Sequence, residues 1–384
     1  MLVRRALQAC APGTELLVQG GSPGWTVHLA AWCRQQGHGL RWEERPDGGA
    51  QAWVRRNVQA LGRWQGAERA GHALLRPGEL PLDQARPPWG LAARGACVEA
   101  GSPSFGFALS RRDELWAATA GELYRQAAAA QWDPGSAIDW QHPFELAPEI
   151  EAAVVQLMTY LIENENAALL VPARHLGQVH PYFREVMQLL ALQCADEARH
   201  VEVFTRRATL RGHEPALSTA GGQASLRTLF DAKDFSQATF LLSVLGEGTF
   251  VNLLNFLHEH APDPVTRQIA RLAARDEARH VAFGMAHLEH RLAVQPDYQA
   301  SLRNAVEQRH DELAGTAGLN EEVFDALVLL AAGEASVGAV ARGHEAVQGL
   351  KREMAAGRKA RLARLGFDAA TASRLAELHT RNFM

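Results

Sequence analysis

The pentapeptide Asp-Glu-Ala-Arg-His stands at Asp196–His200 and again, letter for letter, at Asp276–His280. Each copy sets a Glu and a His three positions apart, Glu197/His200 and Glu277/His280. On an α-helix such residues share one face a turn apart, so a carboxylate oxygen and an imidazole nitrogen can meet the same metal ion. Two helices of this kind, each joined by a helix with one inward Glu, supply the donors of a two-metal site in a four-helix bundle. That chemistry requires two further carboxylates at matched positions.

The chain supplies them. "LIENENAALLV" precedes the first pentapeptide and "LGEGTFVNLL" the second, which sets Glu165 32 residues before Glu197 and Glu247 30 residues before Glu277. Either interval holds a helix, a short turn and a returning helix. Glu165 is preferred to Glu163 because its neighbours one turn away are Leu161, Ile162, Ala168 and Leu169, an apolar stripe. Glu247 has Val244, Ser243, Phe250 and Val251 in the same places. An ionised Glu on such a face is costly unless it is coordinated. Two divalent cations would balance four carboxylates, and two imidazoles complete the donor set. Iron is the expected metal, with manganese as the other candidate, because mixed carboxylate and imidazole ligation suits both ions.

The remaining letters of the pentapeptide have a place beside the ligands. Asp196 and Asp276 can accept the outer N–H of a ligand His. Arg199 and Arg279, three residues on, can hold those aspartates as charge-assisted pairs. A single copy would read as a salt bridge on a solvated helix face; two copies behind matched glutamates outweigh that reading.

Helices must carry these residues. The pattern predicts helical spacing over Leu109–Gln131 and helices at about Glu149–Leu170, Pro181–Leu210, Asp231–His260 and Pro262–Leu292, the last four forming two successive pairs. Beyond Pro296, amphipathic segments at Leu302–Leu313, Glu321–Leu330, Gly343–Leu365 and Ala369–His379 predict covering helices, with Asn320 and Asp368 as N-caps. The basic run from Lys351 through Arg358 and Arg361 to Arg364 reads as a solvated face. His175, His180, His287 and His290 read as exposed or capping residues, and Tyr160, Tyr182 and Cys194 as packing residues.

Residues 107–292 resemble the ferritin-like di-iron carboxylate superfamily. Within it the repeated Asp-Glu-x-Arg-His is most similar to the hydroxylase subunits of multicomponent monooxygenases and to di-iron N-oxygenases, as is the segment from Trp132-Asp133-Pro134 to Ile138-Asp139-Trp140. The resemblance implies two iron ions, O2 as co-substrate, a small organic substrate and an external electron donor such as a reductase or ferredoxin. Phe204 stands where the small subunit of ribonucleotide reductase carries its radical Tyr, which argues against that activity. Val251 and Ala273 replace a Thr of the monooxygenases and an additional His of the N-oxygenases.

Residues 1–56 have a different texture, a small α+β module in the order α-β-α-β-β. "RRALQACAPGTELLVQGGSPGWTVHLAAWCRQQGHGLRWEE" resembles the TusA/SirA sulfur-carrier family, but lacks its leading strand and its Cys-Pro-x-Pro motif. The resemblance then implies docking or dimerisation, and Cys33 reads as a core thiol. Residues 57–106, rich in Pro and Gly and including Pro77, read as an irregular connection, and Arg55, Arg56 and Arg63 as solvated.

The expected architecture is mainly α: a ferritin-like di-iron bundle over 107–295, a helical extension over 296–384 and the small N-terminal module. The chain has 384 residues, 39 Lys and Arg against 43 Asp and Glu, a net charge of −4 and four scattered cysteines. This balance argues against a nucleic-acid binder that works by bulk charge, and the apolar pattern argues against a membrane span. A reducing cytoplasm fits the cysteines, and a homodimer is allowed for. The function expected is an O2-dependent di-iron oxygenase or oxidase. The alternatives are a ferroxidase or iron-handling protein and a scaffold of sulfur transfer.

Overall fold

Long helices begin where the sequence offers a start. Asp263 accepts a hydrogen bond from Thr266 N and Pro264 occupies the first turn of a 31-residue helix, the arrangement that satisfies orphan N–H groups at a helix start. Pro148 opens a 29-residue helix in the same way. The computed structural model describes residues 2–57, 64, 66–76, 78–314 and 321–380; Arg63, Pro77 and Asn320 lie outside them. The chain divides into two units, Met1–Gly106 and Phe107–Met384.

In the first unit, α1 (Leu2–Ala9), β1 (Glu15–Gln19), α2 (Trp25–Gln36), β2 (Gly39–Glu44) and β3 (Ala50–Arg55) follow one another. The sheet order is β1-β3-β2, antiparallel throughout, with Leu16 and Leu40 both opposite Val54. Ala52 and Val54 alternate inward and pack with Leu7, Leu29 and Cys33. Burial pushes the Cys33 thiol up to about 11, as befits a core thiol. Residues 66–106 carry a short ladder of β4 (Glu68–Arg69) and β5 (Cys97–Val98) among loops.

The second unit is helical. Its elements are α3 (Arg112–Leu115), α4 (Ala120–Ala129), α5 (Pro148–Leu176), α6 (Arg184–Thr209), α7 (Ala220–Phe230), α8 (Phe235–Thr239), a π-helical segment (Phe240–Glu247), α9 (Gly248–His260), α10 (Pro264–Val294), α11 (Tyr298–Ala314), α12 (Glu321–Ala332), α13 (Val337–Arg364) and α14 (Ala369–Thr380). Helices α5, α6, α10 and the rod from α8 to α9 form a four-helix bundle. Phe235–His260 is apolar and long enough to cross a membrane, yet 78% of its apolar window is buried in the unit, as for a core helix.

Two apolar clusters fill the unit. One contains Leu157 and Leu161 of α5, Val203 and Phe204 of α6, Leu254 and Leu257 of α9, and Ile269 and Ala273 of α10. The other contains Ala168 and Val171 of α5, Leu241 and Val244 of the π segment, and Met285 and Leu288 of α10. On α5, the rod and α10 the predicted ligands fall between these clusters, so they form one polar layer between two dry ones. Beyond the site, Arg207 is fully buried and bonds Glu151 through both carboxylate oxygens (2.7 and 3.0 Å) and Asp263 at 2.8 Å. This ties α5, α6 and the start of α10 together.

Several expectations are corrected. The helix expected over Leu109–Gln131 is broken, because Trp116 is extended (φ −75°, ψ 145°) and Leu109 instead bridges Val179. The predicted Asp231–His260 helix is interrupted by the π segment. Helix α5 runs on through Pro172 to Leu176. Asp368 does cap α14, accepting from Thr371 N at 3.0 Å. The basic run on α13 is not wholly solvated: Arg358 is 1% exposed and donates to Thr249 Oγ1 at 3.0 Å, and Arg361 Nε donates to Val244 O at 2.7 Å. His175 and His287 are buried rather than exposed; His180 is buried too, but caps the turn at Pro181–Phe183 as allowed for, accepting from Tyr182 N at 3.1 Å. Tyr160 and Tyr182 are buried, in line with packing roles.

Candidate metal centre

All six predicted ligands converge. Glu165 comes from α5, Glu197 and His200 from α6, Glu247 from the end of the π segment, and Glu277 and His280 from α10. None is more than 4% exposed, whereas Glu163 is half-buried. Their donor atoms make two groups, each within 4.8 Å: Glu165, Glu197, His200 and Glu277, and Glu197, Glu247, Glu277 and His280. Glu197 and Glu277 belong to both. Each group would offer a cation one Glu and one His of its own, Glu165 and His200 or Glu247 and His280, together with the shared Glu197 and Glu277.

The hydrogen-bond pattern tests whether cations fit. His280 Nδ1 lies 3.0 Å from Glu197 Oε1, yet neither atom has a hydrogen-bond partner. The same holds for Glu165 Oε1, Glu247 Oε2 and both oxygens of Glu277. Buried polar atoms are rarely left so. Here the orphaned atoms crowd together without donor–acceptor alignment, as ligands aimed at a common point would. The donor set fits two iron ions, and manganese is also accommodated.

Without cations the cluster is electrostatically frustrated. Burial, and then the Glu197 and Glu277 charges, push Glu165 well above the ordinary carboxylate range. Burial and Glu277 do the same to Glu247. Burial would raise Glu197 too, but His280 and His200 overcome it and hold that carboxyl low. Both histidines are held above their ordinary value, burial being outweighed by Asp276 and the glutamates for His200 and by Glu197 and Asp196 for His280. Cations would substitute for these protons and leave the donors as carboxylates and neutral imidazoles.

Behind the histidines the two repeats exchange partners. His200 Nε2 lies 3.2 Å from Asp276 Oδ2, and His280 Nε2 lies 3.4 Å from Asp196 Oδ2. Each aspartate thus orients the histidine of the other repeat. Arg199 pairs with Asp196 and, at 3.0 Å, with Asp276; Arg279 pairs with Asp276 and, at 3.5 Å, with Asp196. These four charges close a square that fixes both imidazoles through charge-assisted bonds.

Sequence reasoning missed four further residues. Gln131 Nε2 donates to Asp196 at 2.8 Å while its Oε1 accepts from Arg199 at 2.7 Å. Trp132 Nε1 donates to Asp276 at 2.8 Å, and the Arg199 guanidinium lies 4.7 Å from that indole. Gln193 Nε2 donates to Glu247 Oε1 at 3.0 Å, and the nearby Ser243 hydroxyl counters part of the upward push on that carboxyl. Gln193, one turn before Glu197 on the inward face, carried a readable signal; the others did not. Cys194 is half-buried, with its thiol pushed up to about 11 by burial.

An apolar cavity opens beside the centre. Glu165, Glu247 and Glu277 form one wall, and Leu226, Leu229, Leu242 and Phe250 are among its apolar lining.

No protein-family model and no curated protein matches the chain. Similar solved structures include an R2-like ligand-binding oxidase with aerobically reconstituted Mn/Fe cofactor, at 18% identity and TM-score 0.46, over 69% of this chain and 91% of that one. Another is an R2-like ligand-binding oxidase with aerobically reconstituted metal cofactor after photoconversion, at 18% identity and TM-score 0.45, over 68% and 90%. Likeness at that level carries no functional weight, and the reading of the centre rests on its own side chains.

Proposed function

We propose that this protein is an O2-dependent oxidoreductase that uses two iron ions, or a manganese–iron pair, to oxidise a small organic substrate by hydroxylation or N-oxygenation. The observation that carries the reading is the convergence of six ligand side chains, five of which hold a buried atom without a hydrogen bond, in a polar layer between two apolar clusters and beside an apolar cavity. Bound there, the metals would supply redox and Lewis-acid chemistry toward dioxygen. The residues do the rest. Four glutamates set a neutral overall charge, the crossed aspartates hold the imidazoles, and apolar layers exclude water.

Inserting one oxygen atom from O2 leaves the other to become water, which takes two electrons and two protons from outside. An external reductase or ferredoxin is therefore part of the proposal. The N-terminal unit serves as a docking module in this reading, and the protein works as a soluble cytoplasmic enzyme.

Anaerobic Fe(II) loading followed by O2 tests it. We expect uptake to stop near two irons per chain, with O2 consumed in proportion. The Glu197→Ala plus Glu277→Ala protein should stay folded by circular dichroism and bind neither ion. Continued uptake of many irons per chain would favour iron handling and overturn the assignment.

A further inference from the structure

Helix α5 and the rod each depart from regular helix geometry beside one small gap in the bundle. Pro172 lies inside α5, where a proline withholds one backbone hydrogen bond and crowds the preceding turn. On the rod, Phe240–Glu247 is wound as a π-helix, whose wider turn moves side chains from their α-helical places. Pro172, Leu242 and Ser243 line the same gap, a throat of about 10 Å³, which α6 closes with Leu190 and Gln193 and α10 with Phe283.

Larger spaces flank this throat. On one side is a vestibule of about 320 Å³, whose lining includes the exposed Arg174, Lys233 and Asp234, so that it opens at the surface. Vestibule and throat share His175 and Phe235. On the other side is the cavity of about 30 Å³ beside the metal centre, which shares Leu242 with the throat. The three spaces thus follow one another from solvent to Glu247, each parted from the next by shared side chains. The throat also touches the centre directly, because its Gln193 donates to Glu247.

The outer partition is aromatic and uncharged. Phe235 is 3% exposed, packs edge-on against His175 with ring centroids 5.4 Å apart, and lies 5.0 Å from the His287 ring. Burial lowers the pKa of His175, so its imidazole adds no charge at neutral pH. Within the throat the surface is mostly apolar, and Ala238 of α8, 2% exposed, is the smallest side chain of its wall. An apolar space of this size holds a small apolar molecule more readily than water. An organic substrate of several carbons exceeds it.

We propose that this throat is the route by which dioxygen reaches the Glu247 side of the centre, with Ala238 setting its bore. The proposal rests on the metal-centre reading and deepens it by separating the path of the gas from that of the organic substrate.

Xenon, a dense apolar atom, is the probe. Crystals of the full-length protein loaded with redox-inert Zn(II) are pressurised with xenon. Density is expected in the throat of the wild type, between Leu190, Ala238 and Phe283. Ala238→Val adds two methyl groups there and should abolish it. In solution, the Fe(II)-loaded Ala238→Val protein mixed with O2 in a stopped-flow instrument should react several-fold more slowly than wild type, with the rate still proportional to O2 concentration. A wild-type throat that takes up no xenon overturns the proposal, whether or not the variant folds. So does an unchanged dioxygen rate in a variant whose throat has lost its xenon, since the gas would then enter elsewhere. Iron content of the same samples separates the two readings. Two irons per chain with an unchanged rate sinks the route alone, whereas no bound iron sinks the centre and the route with it.

Discussion

An imidazole that ligates a metal through Nδ1 needs its Nε2–H held, and here the holder comes from the other repeat. Asp276 faces His200 and Asp196 faces His280. Removing one carboxylate should therefore act on the cation position of the opposite pentapeptide. Asp276→Asn is expected to weaken metal binding about 10- to 100-fold at the position of Glu165 and His200, leaving the Glu247 and His280 position near wild type. Competition titration with a chromogenic chelator should resolve one weakened and one unchanged site; equal weakening of both would contradict the crossed arrangement. The ligands were legible in the sequence because their helical spacing and inward faces are local properties. The exchange of aspartates was not, since it depends on how α6 and α10 lie against each other. Gln131 and Trp132 escaped for the same reason: they reach the aspartates from beyond the end of α4, and no periodicity marks them.

The π segment is the element that delivers Glu247. Phe240 to Leu245 are all buried, so the stretch has no polar face whose phase could reveal the wider turn, and the sequence reads as ordinary helix. A π turn at a functional site redirects the residues that follow it. Its carbonyls need partners, and Arg361 of α13 supplies one to Val244 O. On the opposite side, Gly284 of α10 lets the segment approach closely, since a Cβ there would lie 2.7 Å from Ser243 Cβ. Gly284→Ala should push Ser243 and the segment away. The expected cost is about 1–3 kcal/mol of stability from overpacking, with a loss of metal affinity at the Glu247 position. Denaturant titration and metal content check the two effects separately. A stability loss with unchanged metal binding would mean that the segment's position does not govern Glu247. The C-terminal extension, read from sequence as cover, thus bonds directly to the segment that delivers Glu247.

At the scale of the whole molecule, stability is tied to groups that bury polarity without exposing it to water. His287 of α10 is 0% exposed, 2.8 Å from Ser236 Oγ through Nε2 and 3.1 Å from Trp116 O through Nδ1. It therefore joins α10 to α8 and to the residue after α3, and sequence reasoning had left it on the surface. Burial first, then the backbone carbonyl of Trp116 acting the other way and the nearby His290 and Arg291 charges, leave its pKa at about 4. An unfolded histidine titrates near 6.5. Above about pH 6.5 the group is neutral in both states and gives no pH dependence. As pH falls from there toward 4, the unfolded chain takes up a proton that the native chain refuses, so stability falls with pH across that window. At pH 5 the loss from this group is about 2 kcal/mol. His287→Gln should be less stable than wild type at pH 7.5, by about 1–2 kcal/mol for the disturbed hydrogen bonds. Because glutamine does not titrate, that gap should narrow by about 2 kcal/mol at pH 5. Urea titrations of both proteins in chelator, at the two pH values, keep metal linkage out of the comparison and let the other titrating groups cancel. A gap that stays constant from pH 7.5 to pH 5 would mean that His287 takes up its proton in the folded protein as readily as in the unfolded one, and that its burial between α8 and α10 does not hold it neutral.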